Sequence, residues 1–358
     1  MTVGSGWLVS IVIDNYNYGR FLGQAIDSAL AQTWSAVEVI VVDDGSTDGS
    51  AEVIRSYGDR LRALFQPNGG QASVINAGFA QSHGQVVIFL DADDILLPQA
   101  AERAAAVFSS RPGTAKVQYR MRVIDAQGHE SGAILPAPRI PLQSGDLRRQ
   151  EVCFPFDLPW AAMSANAFSA EVLRQILPIP LDRYRRAGTD WYLAHVSALF
   201  GEVCALDEVC ALYRLHGSNQ YGRAAETIDL ETIGQGVRCA AAASQDLQRF
   251  ADKLRVSRPE PILSVSDVAG RLTLLKLGRP ELLPARETVG GALGLGLRAA
   301  ARRFDIRWPM KLMFMAWFLA MALSPKPLAE ALATAFFIPE KRRSLNPWLG
   351  RLHRGAVP

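Results

Sequence analysis

Cysteine is scarce: Cys153, Cys204, Cys210 and Cys239 are the only four in 358 residues, and no two form a C-x-x-C pair. That spacing excludes a zinc finger or a dithiol redox motif, and it predicts reduced, structural thiols in a cytosolic protein. No G-x-G-x-x-G follows an apolar run, which excludes a dinucleotide-dependent dehydrogenase. No Gly-rich basic loop follows the first apolar run either. Asp14-Asn15-Tyr16-Asn17-Tyr18 stands there instead, which argues against nucleotidyl transfer. No apolar run reaches the roughly 20 residues that span a bilayer. Met1 to Gly6 carries no basic n-region, and Trp7 to Ile13 is too short for a signal-peptide core. The expectation is a cytoplasmic protein without a secretory leader.

Length and apolar content, 358 residues of which 49% are hydrophobic, suit one large or two modest globular domains. The net charge of +3 hides an asymmetry. From Arg298 onward there are 11 Lys/Arg against 3 Asp/Glu, while the rest holds 27 against 32. A basic tail follows a mildly acidic body. The basic residues sit in apolar sequence rather than along a polar face, so no nucleic-acid partner is expected.

Leu8 to Ile13, Val37 to Val42 and Val86 to Leu90 read as short apolar strands, the last of them buried, and a further strand lies near Leu61 to Phe65. Between them, Phe21, Leu22, Ala25, Ile26, Ala29 and Leu30 recur at helical spacing, and 71–81 reads as a second helix. Asp48 is a candidate N-cap. The alternation predicts a mainly parallel sheet with helices on both faces. Its ligand crevice lies beyond the carboxyl ends of the strands. Further along, 98–109 reads as a helix with Pro98 in its first turn. Lys116 to Ile124 and Val203 to Tyr213 read as strands, and 170–177 and 191–199 as helices. The Pro-rich stretch 136–159 reads as a loop or partial lid. From about Glu226 onward the pattern is helical.

Two strand ends turn abruptly acidic: Asp43-Asp44-Gly45-Ser46 and Asp91-Ala92-Asp93-Asp94. Carboxylates cannot pack unpaired in a core. The first cluster taken alone is explained by a turn. The second exceeds what one helix cap requires, and its oxygens suit Mg²⁺ or Mn²⁺ that also holds substrate phosphates. In it, Asp94 reads as the cap of the next helix. Asp190, in Gly188-Thr189-Asp190, reads locally as a cap. His216, in Tyr213-Arg214-Leu215-His216-Gly217, reads as structural or as a phosphate or metal contact.

Three segments occur in order: Val9-Ser10-Ile11-Val12-Ile13-Asp14-Asn15-Tyr16-Asn17-Tyr18, Val41-Val42-Asp43-Asp44-Gly45-Ser46-Thr47-Asp48 and Phe89-Leu90-Asp91-Ala92-Asp93-Asp94. Together they resemble the start of family 2 glycosyltransferases. The resemblance continues through Ser164 to Phe168, Gly188 to Asp190 and Tyr213 to Gly217, and covers roughly residues 7 to 222. It implies an α/β GT-A fold, Rossmann-like, with a C-terminal helical extension. It implies an inverting, metal-dependent transfer of a sugar from a nucleotide diphosphate donor, UDP foremost, to a hydroxyl of a glycan, lipid-linked or other acceptor. Asp14, Tyr16, Asp44, Asn76, Asp91, Ala92 and Asp93 would bind the nucleotide sugar, with Tyr16 stacking on the base and Asp44 accepting its N–H. Asp93 and Asp91 would hold Mn²⁺ or Mg²⁺, with His216 assisting. Asp190 would be the general base. The chain departs from the pattern where Asp14-Asn15 replaces Pro-Thr or Pro-Cys, and where Ile75 replaces Arg before Asn76. A positive contact to the phosphates is then absent or supplied by Arg214. The alternative is a non-catalytic nucleotide-sugar-binding scaffold of the same fold.

The expected domains are 1–222 for transfer, 223–300 as a helical extension and 301–358 as a basic apolar tail. In the tail, Leu312 to Leu323 is apolar and Leu328 to Ile338 is apolar but for Glu330 and Thr334, flanked by Arg302, Arg303, Arg307, Lys311, Lys341, Arg342 and Arg343, with Trp308, Trp317 and Trp348 interspersed. Such a segment suits the inner face of a membrane, or a helical pair buried within the chain or in a homodimer. The expected setting is cell-envelope polysaccharide or glycan synthesis.

Overall fold

The computed structural model describes residues 6–185, 187–217, 219 and 227–338. The N-terminal part alternates strand and helix as the apolar periodicity requires: β1 Val9–Asn15, α1 Gly19–Leu30, β2 Val37–Asp43, α2 Ser50–Ser56, β3 Arg62–Phe65, α3 Gln71–Ala80 and β4 Val86–Asp91. A two-residue strand β5 (Ile95–Leu96), α4 (Ala100–Ser110), β6 (Thr114–Ile124), β7 (Glu130–Leu135) and α5 (Arg148–Cys153) follow. Then come β8 (Asn166–Ser169), α6 (Ala170–Ile176), α7 (Leu181–Tyr184), α8 (Thr189–Ser197) and β9 (Glu202–Arg214).

Among the described residues these strands form one sheet in the order β3-β2-β1-β4-β8-β6-β9-β5, with β7 paired to β6. The first four are parallel, as the alternation predicts. Then β8 enters antiparallel between β4 and β6, while β6 and β9 pair in parallel. Alternate residues of β1 face opposite layers. Val9, Ile11 and Ile13 join α1 and α4 residues such as Leu22, Ile26 and Ala104 in one core. On the other face α3 lies so close that a Cβ on Gly78 would stand 2.3 Å from Val12 Cγ1. That contact requires glycine.

Some boundaries differ from expectation. Helix α4 starts at Ala100, two residues after Pro98. The Pro98 carbonyl instead accepts Thr33 N–H at 2.8 Å, which holds the preceding turn. The stretch 136–147 is tied down as well as looped: Arg120 donates to the carbonyls of Pro136 and Ile140, and Gln118 to that of Gln143.

The chain divides into two compact units. The first comprises residues 1–152, 158–220 and 242–257, and the second 153–157, 221–241 and 258–358. Helix α9 (Leu230–Leu254) is shared between them. The second unit carries α10 (Val265–Leu277), α11 (Val289–Arg302), α12 (Trp308–Leu323) and α13 (Lys326–Phe337), packed around Val268, Leu272, Ala299, Phe318 and Met321. Among the described residues no helix is long and apolar enough to cross a membrane. Lys341, Arg342, Arg343 and Trp348 lie outside the described residues.

Candidate functional site

Strand register builds the site. In the parallel ladder Asp14 of β1 is paired with Asp91 of β4, and Asn15 with Asp43 of β2. All four therefore stand on one rim, at the carboxyl ends of adjacent strands. Tyr16 follows at the rim, 48% exposed, with its ring open to a ligand.

The rim concentrates negative charge. Asp14 and Asp91 are direct partners in the ladder, so two like charges stand side by side. Burial pushes the Asp14 carboxyl up to about 6, and Asp93 and Asp44 nearby add to the rise. Burial, then the charges of Asp14, Asp94 and Asp93, push Asp91 well above the usual carboxylate range. Gln71 Nε2 donates to Asp91 Oδ1 at 3.0 Å, and Asp91 N–H donates to Ser164 Oγ at 3.1 Å. Ala92 contributes its backbone, whose N–H donates to the Asp14 carbonyl at 3.1 Å.

Asp93 is the carboxylate best placed for a ligand. Its Oδ2 lies 2.8 Å from His216 Nε2, and the other nitrogen of that ring lies 3.5 Å from Arg20 Nη2. The imidazole is held edge-on to Tyr18, with ring centroids 5.3 Å apart, and against Phe21. Thus β1, α1, β4 and the segment after β9 converge on one carboxylate.

Asp44 and Asn76 have internal partners. Asp44 accepts Gly69 N–H and Gly70 N–H, both at 2.8 Å, and Gln66 Nε2 at 2.7 Å. Charge-assisted bonds of this kind contribute about 1.5–3 kcal/mol each. They pin the loop before α3, where Gly70 has φ +82° and a Cβ would meet the Arg185 carbonyl at 2.1 Å. Asn76 clamps the backbone of Ile179 from both sides, donating at 3.0 Å and accepting at 2.7 Å. Asp190 is the second residue of α8 and not its cap, which is Gly188 at φ +87°, and its Oδ1 accepts Trp191 N–H at 2.9 Å. Burial raises its pKa despite that bond, which makes it a stronger base. Among the described residues, no hydrogen bond joins it to Asp14, Asp91 or Asp93. Arg185, five residues before Asp190, packs its backbone against Gly70 of the loop that Asp44 holds.

Two expectations are corrected. Arg214 cannot contact phosphates: it is fully buried, and its guanidinium donates to the carbonyls of Asp93 and Asp125 and to Gln24. Asp94 does not cap the following helix. Its Oδ1 accepts Arg214 N–H at 3.0 Å, which locks the acidic turn to the end of β9. Sequence reasoning missed Arg20, Gln71 and Ser164. Ser164 lies in a segment of the resemblance without a role attached to it, and no local motif marks Arg20 or Gln71, because each arrives from a different element.

The donor set suits a divalent cation. Burial and mutual repulsion disfavour the charged forms of Asp14 and Asp91, and a cation would relieve both. Among the described residues no three His, Cys, Asp or Glu side chains stand ready as a cage. Magnesium-like ions need only one or two carboxylates when phosphate and water complete the shell.

Relatives with the same sequence pattern are known. An uncharacterized glycosyltransferase of Nostoc sp. is 37% identical over 227 residues, spanning 61% of this chain and 67% of its own. The chondroitin synthase of Pasteurella multocida is 40% identical over 124 residues, 34% of this chain but 13% of that enzyme. The S. aureus protein TarS 1-349, solved with UDP-GlcNAc, superposes with a TM-score of 0.51 at 14% identity, covering 94% of this chain and 92% of that one. That likeness shows the fold, which is of the GT-A type. Residues 10–171 match the profile of Glycosyl transferase family 2. With the acidic rim, the strand order and the Nostoc relative in agreement, the chain belongs to glycosyltransferase family 2.

Proposed function

We propose that the chain is an inverting, metal-dependent hexosyltransferase that uses a nucleotide diphosphate sugar, with UDP as the nucleotide. The observation that carries this is Asp93, held by His216 beside the ladder partners Asp14 and Asp91. Asp93 and Asp91 would hold Mn²⁺ or Mg²⁺, with His216 either as a further ligand or as the group that orients Asp93. When bound, the ion offsets negative charge growing on the leaving diphosphate.

This chain's own groups do the rest. Tyr16 stacks on the base. Asp44 holds the loop Gly69–Gly70 and keeps lone-pair capacity for the base N–H. Arg20, beside His216, supplies the cation that Ile75 and the buried Arg214 do not. Asp190, with its pKa raised by burial, takes the proton from the acceptor hydroxyl as that oxygen attacks the anomeric carbon from the face opposite the diphosphate. The linkage formed has the inverted anomeric configuration.

The acceptor reading is a glycan or lipid-linked hydroxyl in envelope polysaccharide synthesis, at the cytoplasmic face of a membrane. The chondroitin synthase relative and the UDP-GlcNAc complex of TarS motivate it. The test is a screen of uridine, guanosine and thymidine diphosphate sugars with Mn²⁺, read as nucleotide diphosphate release. Release with a uridine donor, lost in Asp190→Asn, is the expected result. No release with any donor would favour a binding scaffold.

A further inference from the structure

Helix α12 is apolar on both sides. One face, with Phe318 and Met321, is buried in the core of the second unit. The other is exposed: Trp308 is 65%, Leu312 57%, Leu319 43% and Leu323 81% accessible. These recur at 308, 312, 319 and 323, one continuous stripe down the helix. Met313 and Ala316 widen it, and Leu328 of α13 extends it. A helix that is hydrophobic all round belongs in a core or in lipid. Soluble proteins seldom expose a contiguous apolar patch of this kind without a use for it.

Charge decides what covers the stripe. Between Asp305, which pairs with Arg303, and the exposed Glu330 there is no acid, whereas Arg307, Lys311 and Lys326 lie in that stretch. Arg307 precedes the helix and Lys326 opens the next, so positive charge brackets the apolar stripe. A symmetric dimer through this face would set three cations of each copy against themselves, with Glu330 as the one exposed acid nearby. Residues 339–358 are also basic, with Lys341, Arg342, Arg343, Arg351 and Arg354 against Glu340. They are poor partners for a cationic face. An anionic lipid surface answers both features. Sixteen residues span roughly 24 Å, less than the bilayer's hydrocarbon core, so the helix would lie in the surface rather than cross it.

We propose that α12 docks the chain onto an anionic membrane surface. Trp308, Leu312, Leu319 and Leu323 enter the boundary between headgroups and acyl chains. Arg307, Lys311 and Lys326 meet the phosphates. The helix thereby gives the second unit a membrane-facing side, which sharpens the cytoplasmic-face reading without depending on the transfer chemistry.

The test is co-sedimentation of the full chain with vesicles of phosphatidylcholine alone, and of phosphatidylcholine mixed with phosphatidylglycerol. The expected result is binding to the mixed vesicles that weakens with salt. Leu312→Glu/Leu319→Glu should lower the partition coefficient at least about tenfold while circular dichroism stays unchanged. Because that variant could misfold, brominated lipid provides a second arm. It should quench tryptophan fluorescence in the unaltered chain, and markedly less in Trp308→Phe. Failure of the unaltered chain to bind mixed vesicles would overturn the proposal, as would equal quenching in Trp308→Phe. Equal binding by the double variant would also do so. So would a dimer in light scattering that the double variant dissolves, since a second copy would then cover the face. Nucleotide release in solution, measured in parallel, reports separately on the transfer site.

Discussion

Two regions of the first unit bury charge, and they do so differently. At the rim, Asp14, Asp91, Asp93 and Asp94 are like charges gathered where strands end, and burial plus repulsion lifts the carboxyls of Asp14, Asp91 and Asp94. Along β6 the buried charges have opposite signs or aromatic neighbours. Thr114, Lys116, Gln118 and Arg120 alternate with Ala115, Val117 and Tyr119, so a polar face runs the length of a buried strand. Lys116 Nζ sits 3.7 Å from the centre of the Trp160 ring. Glu151 Oε2 sits 2.9 Å from His195 Nδ1. Arg120 holds the carbonyls of Pro136 and Ile140. Like charges crowded at the strand ends mark a ligand site, whereas the buried charges beside β6 stand among opposite charges and an aromatic ring and mark scaffold.

Four measurements break or sharpen that contrast. Asp190→Asn removes the base and should cut the rate of donor-to-acceptor transfer by about 10²–10⁴-fold, read from initial rates of product formation, with donor KM little changed. Asp93→Asn should cost about 10²–10³-fold in kcat and abolish any response to added Mn²⁺. An unchanged manganese response would remove the rim from the ligand class. Glu151→Gln breaks a buried pair and should destabilise by about 3–5 kcal/mol in urea melts, while turnover of the folded protein stays near that of the parent. If turnover collapsed at full stability, the β6 face would be part of the site. The smallest effect concerns Lys116. Burial pulls its pKa from 10.5 in the unfolded chain down to about 7, against the attraction of Glu151. Between those values the unfolded chain binds the extra proton, so this group makes stability rise with pH from about 7 toward 10. Lys116→Met should flatten that limb in melts taken across the range.

Much of this was legible in the sequence because the signals are local. Apolar runs ending in acid located β1, β2 and β4, and parallel pairing then fixed the rim. The antiparallel entry of β8 was not legible, since Asn166–Ser169 is four residues long and its place depends on β4 and β6. Nor was the burial of Arg214. An Arg beside a His in a polar turn reads as a phosphate contact, and only the fold reveals carbonyls and Gln24 waiting for its guanidinium. The β6 polar face escaped notice because Lys116, Gln118 and Arg120 look like the solvated side of an ordinary strand. Their partners come from residues 136–160 and from Asp207, far off in sequence. For α12 the reverse holds: the apolar run was plain, and only the structure separates its buried half from its exposed one.

The central claim is that the acidic rim is a metal–diphosphate site organised by Asp93. It is tested most directly by calorimetric titration of UDP into the unaltered chain and into Asp93→Asn, each with and without Mn²⁺. The account predicts that manganese tightens UDP binding by at least about tenfold, or 1.4 kcal/mol, in the unaltered chain and has no effect in the variant. Equal UDP affinity with and without the ion in the unaltered chain would contradict it.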